Sequence, residues 1–239
     1  PLYNRINTLK RTYESLKRQT SKDFVWLIID DGSTDNPYEI IKEWIKINNG
    51  FEIRYVYKEN GGMHTAHNTA YENIDTELNV CVDSDDYMPD NAVQLIIDCW
   101  NKNKNKGYAG IIALDFADST KKVIGKELPT DKESTTLMGY YNNGGFGDKK
   151  LIYRTDIKKQ TPPYPVFDNE KYVALAYKYH LIDEKYELKI LNECVCIVDY
   201  QMDGSSTNMY RQYVRNPKGF AFWRKEQMKH SINTKQKIK

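Results

Sequence analysis

Apolar positions along the first half of the chain alternate between two spacings, one typical of helices and one typical of buried strands. Near the N terminus, four apolar residues recur at helical intervals: Ile6, Leu9, Tyr13 and Leu16. Residues 24–30 form an almost unbroken apolar run, which indicates a strand buried on both faces. The same alternation predicts further helices at 37–48, 64–73 and 89–100, and further strands at 53–57, 78–82 and 110–116. Helices that alternate with strands predict an α/β fold with a mainly parallel central sheet.

The pattern is weaker after residue 116. There the sequence predicts a strand or loop near 120–128, a glycine-rich turn at 143–147, a strand at 150–154, a helix at 169–180, strands at 186–192 and 194–200, and a terminal helix from about residue 209. No internal repeat and no clear linker interrupt the chain, so its 239 residues fit one domain with a C-terminal appendage.

Two of the predicted strands end in clusters of carboxylates. Asp30 and Asp31 follow the first strand, and the run Asp83-Ser84-Asp85-Asp86 follows the strand at 78–82. The carboxyl ends of parallel strands share one edge of a sheet, and open α/β sheets bind their ligands at that edge. Carboxylates gathered there suit a divalent cation, and a cation suits a phosphorylated substrate. Each acid could instead cap the turn or helix that follows it.

The order of these motifs resembles glycosyltransferase family 2, the nucleotide-sugar transferases of the Rossmann-like GT-A fold. The resemblance is specific over residues 1–115 and continues more loosely to Asp203-Gly204. The later part of the chain is similar to a subgroup found in bacterial surface-polysaccharide synthesis. Its motifs are Pro1-Leu-Tyr-Asn4, the Asp30-Asp31-Gly-Ser-Thr-Asp turn, Asn60-Gly61-Gly62, Asp83-Ser84-Asp85-Asp86 and Phe167-Asp-Asn-Glu-Lys171.

The resemblance implies a division of the chain. Residues 1–115 would bind the nucleotide sugar, and residues 116–207 would form the half of the same domain that holds the acceptor and the catalytic base. Residues 208–239 would form a basic C-terminal helix or tail. Members of the family normally have an apolar strand just before Pro-x-Tyr-Asn, so we expect native residues before Pro1 to supply it.

The resemblance also implies a metal site and a nucleotide site. Asp85 would bind Mn²⁺ or Mg²⁺, with Asp83 near both the metal and the ribose and Ser84 in the nucleotide site. Asp31 would accept the N3–H of a uracil, since an acceptor-only carboxylate favours uracil or thymine and so a UDP-sugar or dTDP-sugar. The loop Asn60-Gly61-Gly62 would let the backbone and a helix N terminus approach an anion.

The sequence leaves alternatives open at two places, the residues that follow Asn60-Gly61-Gly62 and the segment Phe167–Lys171. Met63 stands where related sequences would have lysine, and His64 or His67 could compensate for the missing charge. The resemblance implies that the catalytic base of an inverting transfer lies in Phe167–Lys171, with Glu170 as first choice and Asp168 as second; a carboxylate there would remove the proton of the attacking hydroxyl. Ordinary first-turn chemistry at a helix N terminus explains the same two acids equally simply.

These expectations describe a metal-dependent, inverting glycosyltransferase that adds one sugar to a glycan or lipid-linked glycan. The nearest match to the Gln-x-x-Arg-Trp motif of processive synthases is Gln212-Tyr-Val-Arg215-Asn216, which lacks the tryptophan. A receiver domain would have about half this length. A haloacid-dehalogenase phosphatase would carry Asp-x-Asp-x-Thr/Val near its start, whereas residue 87 is tyrosine. A non-catalytic carbohydrate- or nucleotide-binding relative of the same fold would retain all these motifs.

Composition and charge limit the kinds of partner and the cellular location that we expect for this chain. The formal net charge of +2 argues against bulk nucleic-acid binding, and no apolar run approaches the roughly 20 residues that span a bilayer. The cysteines at 81, 99, 194 and 196 indicate reduced structural thiols and hence a cytoplasmic location.

The region from Met209 to Lys239 is strongly basic and carries the aromatic residues Phe220, Phe222 and Trp223, with Glu226 as its one acid. Such a helix can lie on an anionic membrane at the inner face of the plasma membrane. It can equally pack its aromatic residues on the domain and leave its lysines in water.

Overall fold

The computed structural model describes residues 1–200 and 209–229. In the first half, helices and strands alternate in the order α1 (Ile6–Lys17), β1 (Val25–Asp31), α2 (Tyr38–Lys46), β2 (Glu52–Lys58), α3 (Met63–Asn73), β3 (Leu78–Val80), α4 (Ala92–Asn103) and β4 (Gly110–Ala117). A single 3-10 turn (Lys104–Lys106) follows α4. Every helix and strand predicted before residue 116 is therefore confirmed, with ends displaced by a few residues.

The second half contains shorter elements. They are β5 (Lys122–Val123), β6 (Ser134–Thr135), α5 (Leu137–Asn142), β7 (Lys149–Arg154), α6 (Thr155–Gln160), α7 (Ala176–Asp183), β8 (Leu188–Val198), α8 (Met209–Arg215) and α9 (Pro217–Lys229). The predicted Asp203-Gly204 motif and the last three lysines of the chain lie outside the described residues.

The strands form two sheets. β1 and β2 pair in parallel, and the second sheet has the order β3-β7-β4-β8-β6, with β5 also paired to β4. Within the second sheet β4 and β8 run in parallel, whereas β7 is antiparallel to both β3 and β4. The α/β class is confirmed. The parallel pairing that the sequence predicted is found for β1–β2 and β4–β8, and the sheet that contains β4 and β8 is mixed.

Three boundaries in the second half differ from the sequence prediction. The helix predicted at 169–180 begins only at Ala176, because Asn169 adopts a left-handed φ of 61° in a tight turn that a helix cannot continue. The two strands predicted at 186–192 and 194–200 form the single strand β8, which bulges where it pairs with Leu114. The predicted terminal helix is divided at Asn216 into α8 and α9.

A cavity of about 690 Å³ lies between β1 and β3. Its walls are mainly apolar and include Trp26 of β1, Leu78 and Val80 of β3, and Trp100 of α4. Pro1 lines this cavity, and the next residue, Leu2, pairs with the edge of β1: its N–H donates to Ile29 O at 2.8 Å and its carbonyl accepts from Asp31 N at 2.8 Å.

Aromatic packing holds α1 against β1. Tyr13 stacks on Trp44 with ring centroids 4.1 Å apart and on Trp26 at 6.0 Å, and Leu9 is buried in the same cluster. Burial of each such side chain contributes about 1.5–3 kcal/mol. α1 therefore has a fixed position over the carboxyl ends of β1 and β3, which matters because its first turn touches both carboxylate clusters.

Two further observations concern the cysteines and the length of the helices. All four cysteines are free, and burial raises the pKa of Cys81 to about 11. Within residues 1–200 and 209–229, none of the helices combines the length and the apolar composition needed to cross a bilayer.

Candidate active site

The turn after β1 is organised by Asp30. Its Oδ1 accepts the N–H of Ser33 at 2.8 Å and its Oδ2 accepts the hydroxyl of Tyr55 at 2.5 Å. Gly32 has a φ of 74°, and a Cβ there would lie 2.6 Å from Asn60 N. Only glycine allows this close approach between the β1 turn and the loop after β2. Asp30 thus has a structural role that brings the two loops together.

Asp31, the residue predicted to recognise the base, is buried and accepts four hydrogen bonds. Lys58 Nζ and Gly61 N donate to Oδ1 at 2.5 and 3.0 Å, and Asn60 Nδ2 and Gly62 N donate to Oδ2 at 3.0 and 2.8 Å. The structure therefore brings together four of the six residues that the resemblance placed in the nucleotide site, Asp31, Asn60, Gly61 and Gly62, whereas Asp83 and Ser84 lie in the acidic loop after β3.

Lys58 is a site residue that the sequence did not single out. It ends β2 directly opposite Asp31 in the parallel register, and its side chain is 20% exposed. Met63, where related sequences would have lysine, is 45% exposed. Lys58 therefore places a positive charge beside Asp31, at the end of the neighbouring strand. The parallel pairing of two strands that end in Asp31 and Lys58 was the signal that could have revealed it.

The two histidines are buried. His64 is 1% exposed, and burial lowers its pKa, while its ring nitrogens have no hydrogen-bond partner within the described parts of the chain. His67 Nδ1 lies 3.2 Å from the hydroxyl of Tyr71, and burial lowers its pKa well below the ordinary value. Both rings are therefore neutral near pH 7, and neither replaces the charge of the missing lysine.

The acidic loop after β3 is a tight turn closed by the N–H of Asp86, which donates to Asp83 O at 2.9 Å. Asp85 is partly exposed, and burial together with the nearby Asp83 raises its pKa. Asp86 faces inward and is 3% exposed; its Oδ1 accepts the N–H of Asp199 at 3.1 Å, and burial raises its pKa to about 7. Asp86 therefore supports the loop from inside, whereas the Asp85 carboxylate is partly exposed beside Arg5.

Consecutive residues at the start of α1 join this loop to the β1 turn. Asn4 N donates to Ser33 Oγ at 3.0 Å, and Asn4 Oδ1 accepts from Thr34 N at 2.7 Å. The next residue, Arg5, lies 3.8 Å from the Asp85 carboxylate. The first residues of the chain, just before α1, therefore link the two carboxylate clusters.

Further contacts from α1 fix the backbone of the acidic loop. Thr8 Oγ1 donates to Ser84 O at 2.8 Å, and Arg11 Nη2 donates to Asp85 O at 2.5 Å and to Asp199 Oδ2 at 2.8 Å. Ser84 thus contributes its carbonyl to this anchorage. Arg5 and Arg11, which sequence reasoning missed, place two positive charges beside the acids without occupying the Asp83 side chain.

A divalent cation fits the chemistry of this loop. Asp83 and Asp85 offer carboxylate oxygens, the ligands that Mg²⁺ and Mn²⁺ prefer, and such ions commonly use one or two carboxylates with water and substrate phosphates. Across the described residues, His, Cys, Asp and Glu side chains nowhere form a group of three arranged for a metal. The loop therefore suits an ion that a bound diphosphate helps to hold.

The two candidate bases have different surroundings. Glu170 is 8% exposed, and its Oε1 and Oε2 accept the backbone N–H groups of Lys218 at 2.9 Å and Gly219 at 2.8 Å. Asp168, two residues earlier in the same turn, is exposed to solvent. The helix that Glu170 caps is α9, far along the chain, and not the helix that the sequence predicted to start at residue 169.

Comparison with known proteins places this site in a family. A sequence profile described as "Glycosyl transferase family 2" matches residues 1–161, which span both carboxylate clusters and Lys58. The chain belongs to glycosyltransferase family 2. An uncharacterized glycosyltransferase of Rickettsia conorii is 32% identical over 143 residues, 58% of this chain and 23% of that protein. The chondroitin synthase of Pasteurella multocida is 36% identical over 104 residues, 44% of this chain and 11% of that synthase. The chain thus spans less than a quarter of either relative.

Solved structures of glycosyltransferases share the fold. S. aureus TarS 1-349 in complex with UDP-GlcNAc matches with a TM-score of 0.70 at 17% identity, over 99% of this chain and 67% of that one. A mannosyltransferase from Pyrobaculum calidifontis, in complex with GDP-Man and Mn²⁺, matches with a TM-score of 0.56 at 16% identity, over 96% of this chain and 59% of the other. At these identities the likeness shows the fold, which is GT-A as predicted.

Proposed function

We propose that this family 2 protein transfers one sugar from a UDP-sugar or dTDP-sugar, with inversion, to a glycan or lipid-linked glycan of a bacterial surface polysaccharide. The observation that carries the proposal is the placement of Asn4 and Arg5, which hold the Asp31 turn and the Asp85 loop side by side. A base recognised at Asp31 would then have its diphosphate beside Asp83 and Asp85. TarS, which has the same fold, is crystallised with UDP-GlcNAc.

Base recognition would use Asp31 and the surrounding loop. The four hydrogen bonds that Asp31 accepts match the roughly four lone-pair sites of a carboxylate, so a uracil N3–H must replace one donor. Lys58 is the donor best able to withdraw, because it is a side chain and is partly exposed. Withdrawal of Lys58 would leave an acceptor site on Asp31 Oδ1 for the uracil N3–H.

Asp83 and Asp85 would hold Mn²⁺ or Mg²⁺ together with the donor diphosphate. A divalent ion there would stabilise the negative charge that gathers on the diphosphate as the sugar leaves. Arg5, 3.8 Å from Asp85, adds positive charge at the same place. Arg11 and Thr8 keep the loop backbone fixed, so that the carboxylates need little reorganisation.

The proton of the acceptor hydroxyl would pass to Glu170 or Asp168. Each oxygen of Glu170 accepts one N–H in this structure and retains a second lone pair, so the group can still take a proton. We keep Glu170 as first choice because its position is fixed, and Asp168 as second because it is exposed. A base that is held in a fixed position lowers the activation barrier more than a base that is only exposed to solvent.

Measurement of binding and turnover would test the proposal. UDP or dTDP should bind more tightly than GDP or ADP in calorimetry with Mn²⁺, and Asp31→Ala should weaken UDP binding by about 1–3 kcal/mol. Glu170→Gln should keep donor binding and slow transfer by roughly 10²–10⁴-fold, and Asp168→Asn is its matched comparison. Equal binding of all four diphosphates would defeat the assignment of the base. Binding without turnover of any nucleotide sugar would favour a non-catalytic relative.

We also propose contact with an anionic membrane, through residues other than the aromatic ones named from the sequence. Phe220 stacks on Tyr172 at 4.5 Å, Phe222 packs edge-on against Tyr177 at 4.9 Å, and Trp223 does so against His180 at 4.8 Å. These rings pack on the domain. The exposed apolar residues of α8 are Tyr210, 81% exposed, and Val214, 66% exposed, alongside Met209 and Tyr213.

The charges around α8 support the same contact. Arg211, Arg215 and Lys218 are exposed next to these apolar side chains, and Lys225 is exposed on α9. Aromatic and aliphatic groups flanked by basic residues suit the headgroup region of an anionic bilayer, where each basic residue contributes about 1 kcal/mol. A lipid-linked acceptor would be presented at that surface.

A further inference from the structure

The segment that carries the candidate base is clamped between two helix N termini. On one side, a Cβ added to Gly62, at the start of α3, would lie 2.1 Å from Lys171 O. On the other side, Tyr172 O lies 2.0 Å from the position of a Cβ on Gly219, in the first turn of α9. Both helices can approach this closely only because glycine stands at each contact.

The contacts on the α9 side are polar and buried. Lys218 N and Gly219 N, two of the first-turn N–H groups that a helix leaves without an internal partner, donate to the two oxygens of Glu170. Asn216, 4% exposed, accepts the N–H of Lys171 at 2.7 Å and donates to Gln212 O at 3.0 Å. Glu170 and Asn216 thus join two stretches of chain that lie far apart in sequence.

The contacts on the α3 side reach the proposed nucleotide site. Lys171 Nζ donates to Asn60 Oδ1, and Asn60 Nδ2 donates to Asp31 Oδ2 at 3.0 Å. A continuous series of contacts therefore runs from α9 through Glu170 and Lys171 to Asp31. Loss of the α9 contacts would leave the candidate base on a turn anchored only toward the donor side.

We propose that the junction of α8 and α9 is a positioning element for catalysis, in which the N–H groups of Lys218 and Gly219 orient the Glu170 carboxylate and Asn216 fixes the peptide that follows it. This inference rests on the proposed function. The first turn of α9 holds an anion through backbone dipoles, as helix N termini do, and here that anion is a side chain of the same chain. The C-terminal helices, which lie outside the family match at residues 1–161, thereby become part of the active site.

Hydrogen exchange tests the contact without any substrate. First-turn amides of a helix exchange freely unless they are capped, so slow exchange at Lys218 and Gly219 is expected in the intact protein. Glu170→Ala should accelerate both amides by about tenfold or more, the factor that corresponds to a lost cap. Glu193→Ala, a change at an exposed acid of β8, is the matched control. Unchanged exchange at Lys218 and Gly219 in Glu170→Ala would overturn the inference.

Turnover tests the positioning role. Asn216→Ala removes the acceptor of the Lys171 N–H, and Asn216→Asp, which keeps an acceptor oxygen on a side chain of the same size, is the reference. Relative to that reference, Asn216→Ala should lower kcat by about 10–100-fold, with a much smaller change in the donor KM. Equal kcat in the two variants would overturn the inference. Absence of turnover by the unmodified protein would defeat the proposed function and with it the catalytic role, whereas the exchange rates still decide whether Glu170 caps α9.

Discussion

Lys58 Nζ lies 2.5 Å from Asp31 Oδ1, and the two residues stand opposite each other at the ends of adjacent parallel strands. The Asp31 side chain is 4% exposed and that of Lys58 is 20% exposed, so the carboxylate is fixed and the ammonium group borders solvent. The pair therefore closes the proposed base pocket in this structure, and any base that reaches Asp31 must compete with Lys58.

Replacement of Lys58 tests this competition. Lys58→Met should strengthen UDP binding in the absence of metal by about 2–10-fold, because the base no longer displaces a hydrogen bond of roughly 0.5–1.5 kcal/mol. Lys58→Arg, which keeps a donor near Asp31, should not show that gain. Calorimetric titration with UDP measures both. Weaker binding in Lys58→Met would indicate that Lys58 contacts the nucleotide directly.

A second prediction concerns the metal. Asp85→Asn should weaken UDP binding in the presence of Mn²⁺ by more than about tenfold and leave binding without metal almost unchanged, because the amide is a poor ligand of similar size. Asp90→Asn, a change at an exposed acid that pairs with Arg18, is the control. If Asp85→Asn retains the full Mn²⁺ dependence, Asp85 does not hold the ion.

Membrane contact can be measured with vesicles. The intact protein should sediment with phosphatidylserine-containing vesicles in low salt, and the replacement of Arg211 and Arg215 by glutamine should weaken binding by about 10–30-fold. Tyr210→Ser with Val214→Ser should also weaken it, whereas Ile47→Ser, at a site 55% exposed elsewhere, should not. Binding to neutral phosphatidylcholine alone, or to neither vesicle, contradicts the proposal.

Asp183 should make stability depend on pH. Burial raises its pKa to about 6, above the value of an unfolded aspartate, so the folded state holds the proton more tightly. The stabilisation is present below about pH 4 and is lost as pH rises to about 6. Asp183→Asn keeps an acceptor for Met138 N, which donates to Asp183 Oδ2 at 2.8 Å, and removes the buried charge.

Urea unfolding at two pH values checks that prediction. The free energy of unfolding of Asp183→Asn relative to the unmodified protein should be higher at pH 8 than at pH 4 by about 1–3 kcal/mol. Asp98→Asn, at an exposed acid on α4, supplies the control. A difference that does not vary with pH would show that Asp183 ionises without cost.

The sequence predicted those parts of the fold and site that depend on local patterns. Strands 24–30 and 78–82 were recognisable because their apolar runs end in acidic turns. The Asn60-Gly61-Gly62 loop was recognisable because its glycines directly precede a helix. The first and the last of these motifs come together around Asp31. Local spacing also gave the α/β class, although antiparallel β7 could not be foreseen from its short and partly polar sequence.

The remainder depends on contacts between distant residues. Arg5 reaches Asp85 and Lys58 reaches Asp31 only after the chain has folded, and neither basic residue stands out in its own segment. Glu170 has the sequence context of a helix start, but its carboxylate caps α9, and the residues after it remain extended up to Ala176. Periodicity cannot show that a helix 48 positions later competes for the same side chain.

The link that Asn4 and Arg5 form gives a bound nucleotide a second effect. Asn4 holds the turn after β1, and Arg5 lies beside the loop after β3. A ligand that contacts Asp31 on one side and Asp85 on the other would tie the same two loops together, and its binding energy would oppose their separation. Nucleotide binding would then stabilise the folded protein as well as supply the substrate.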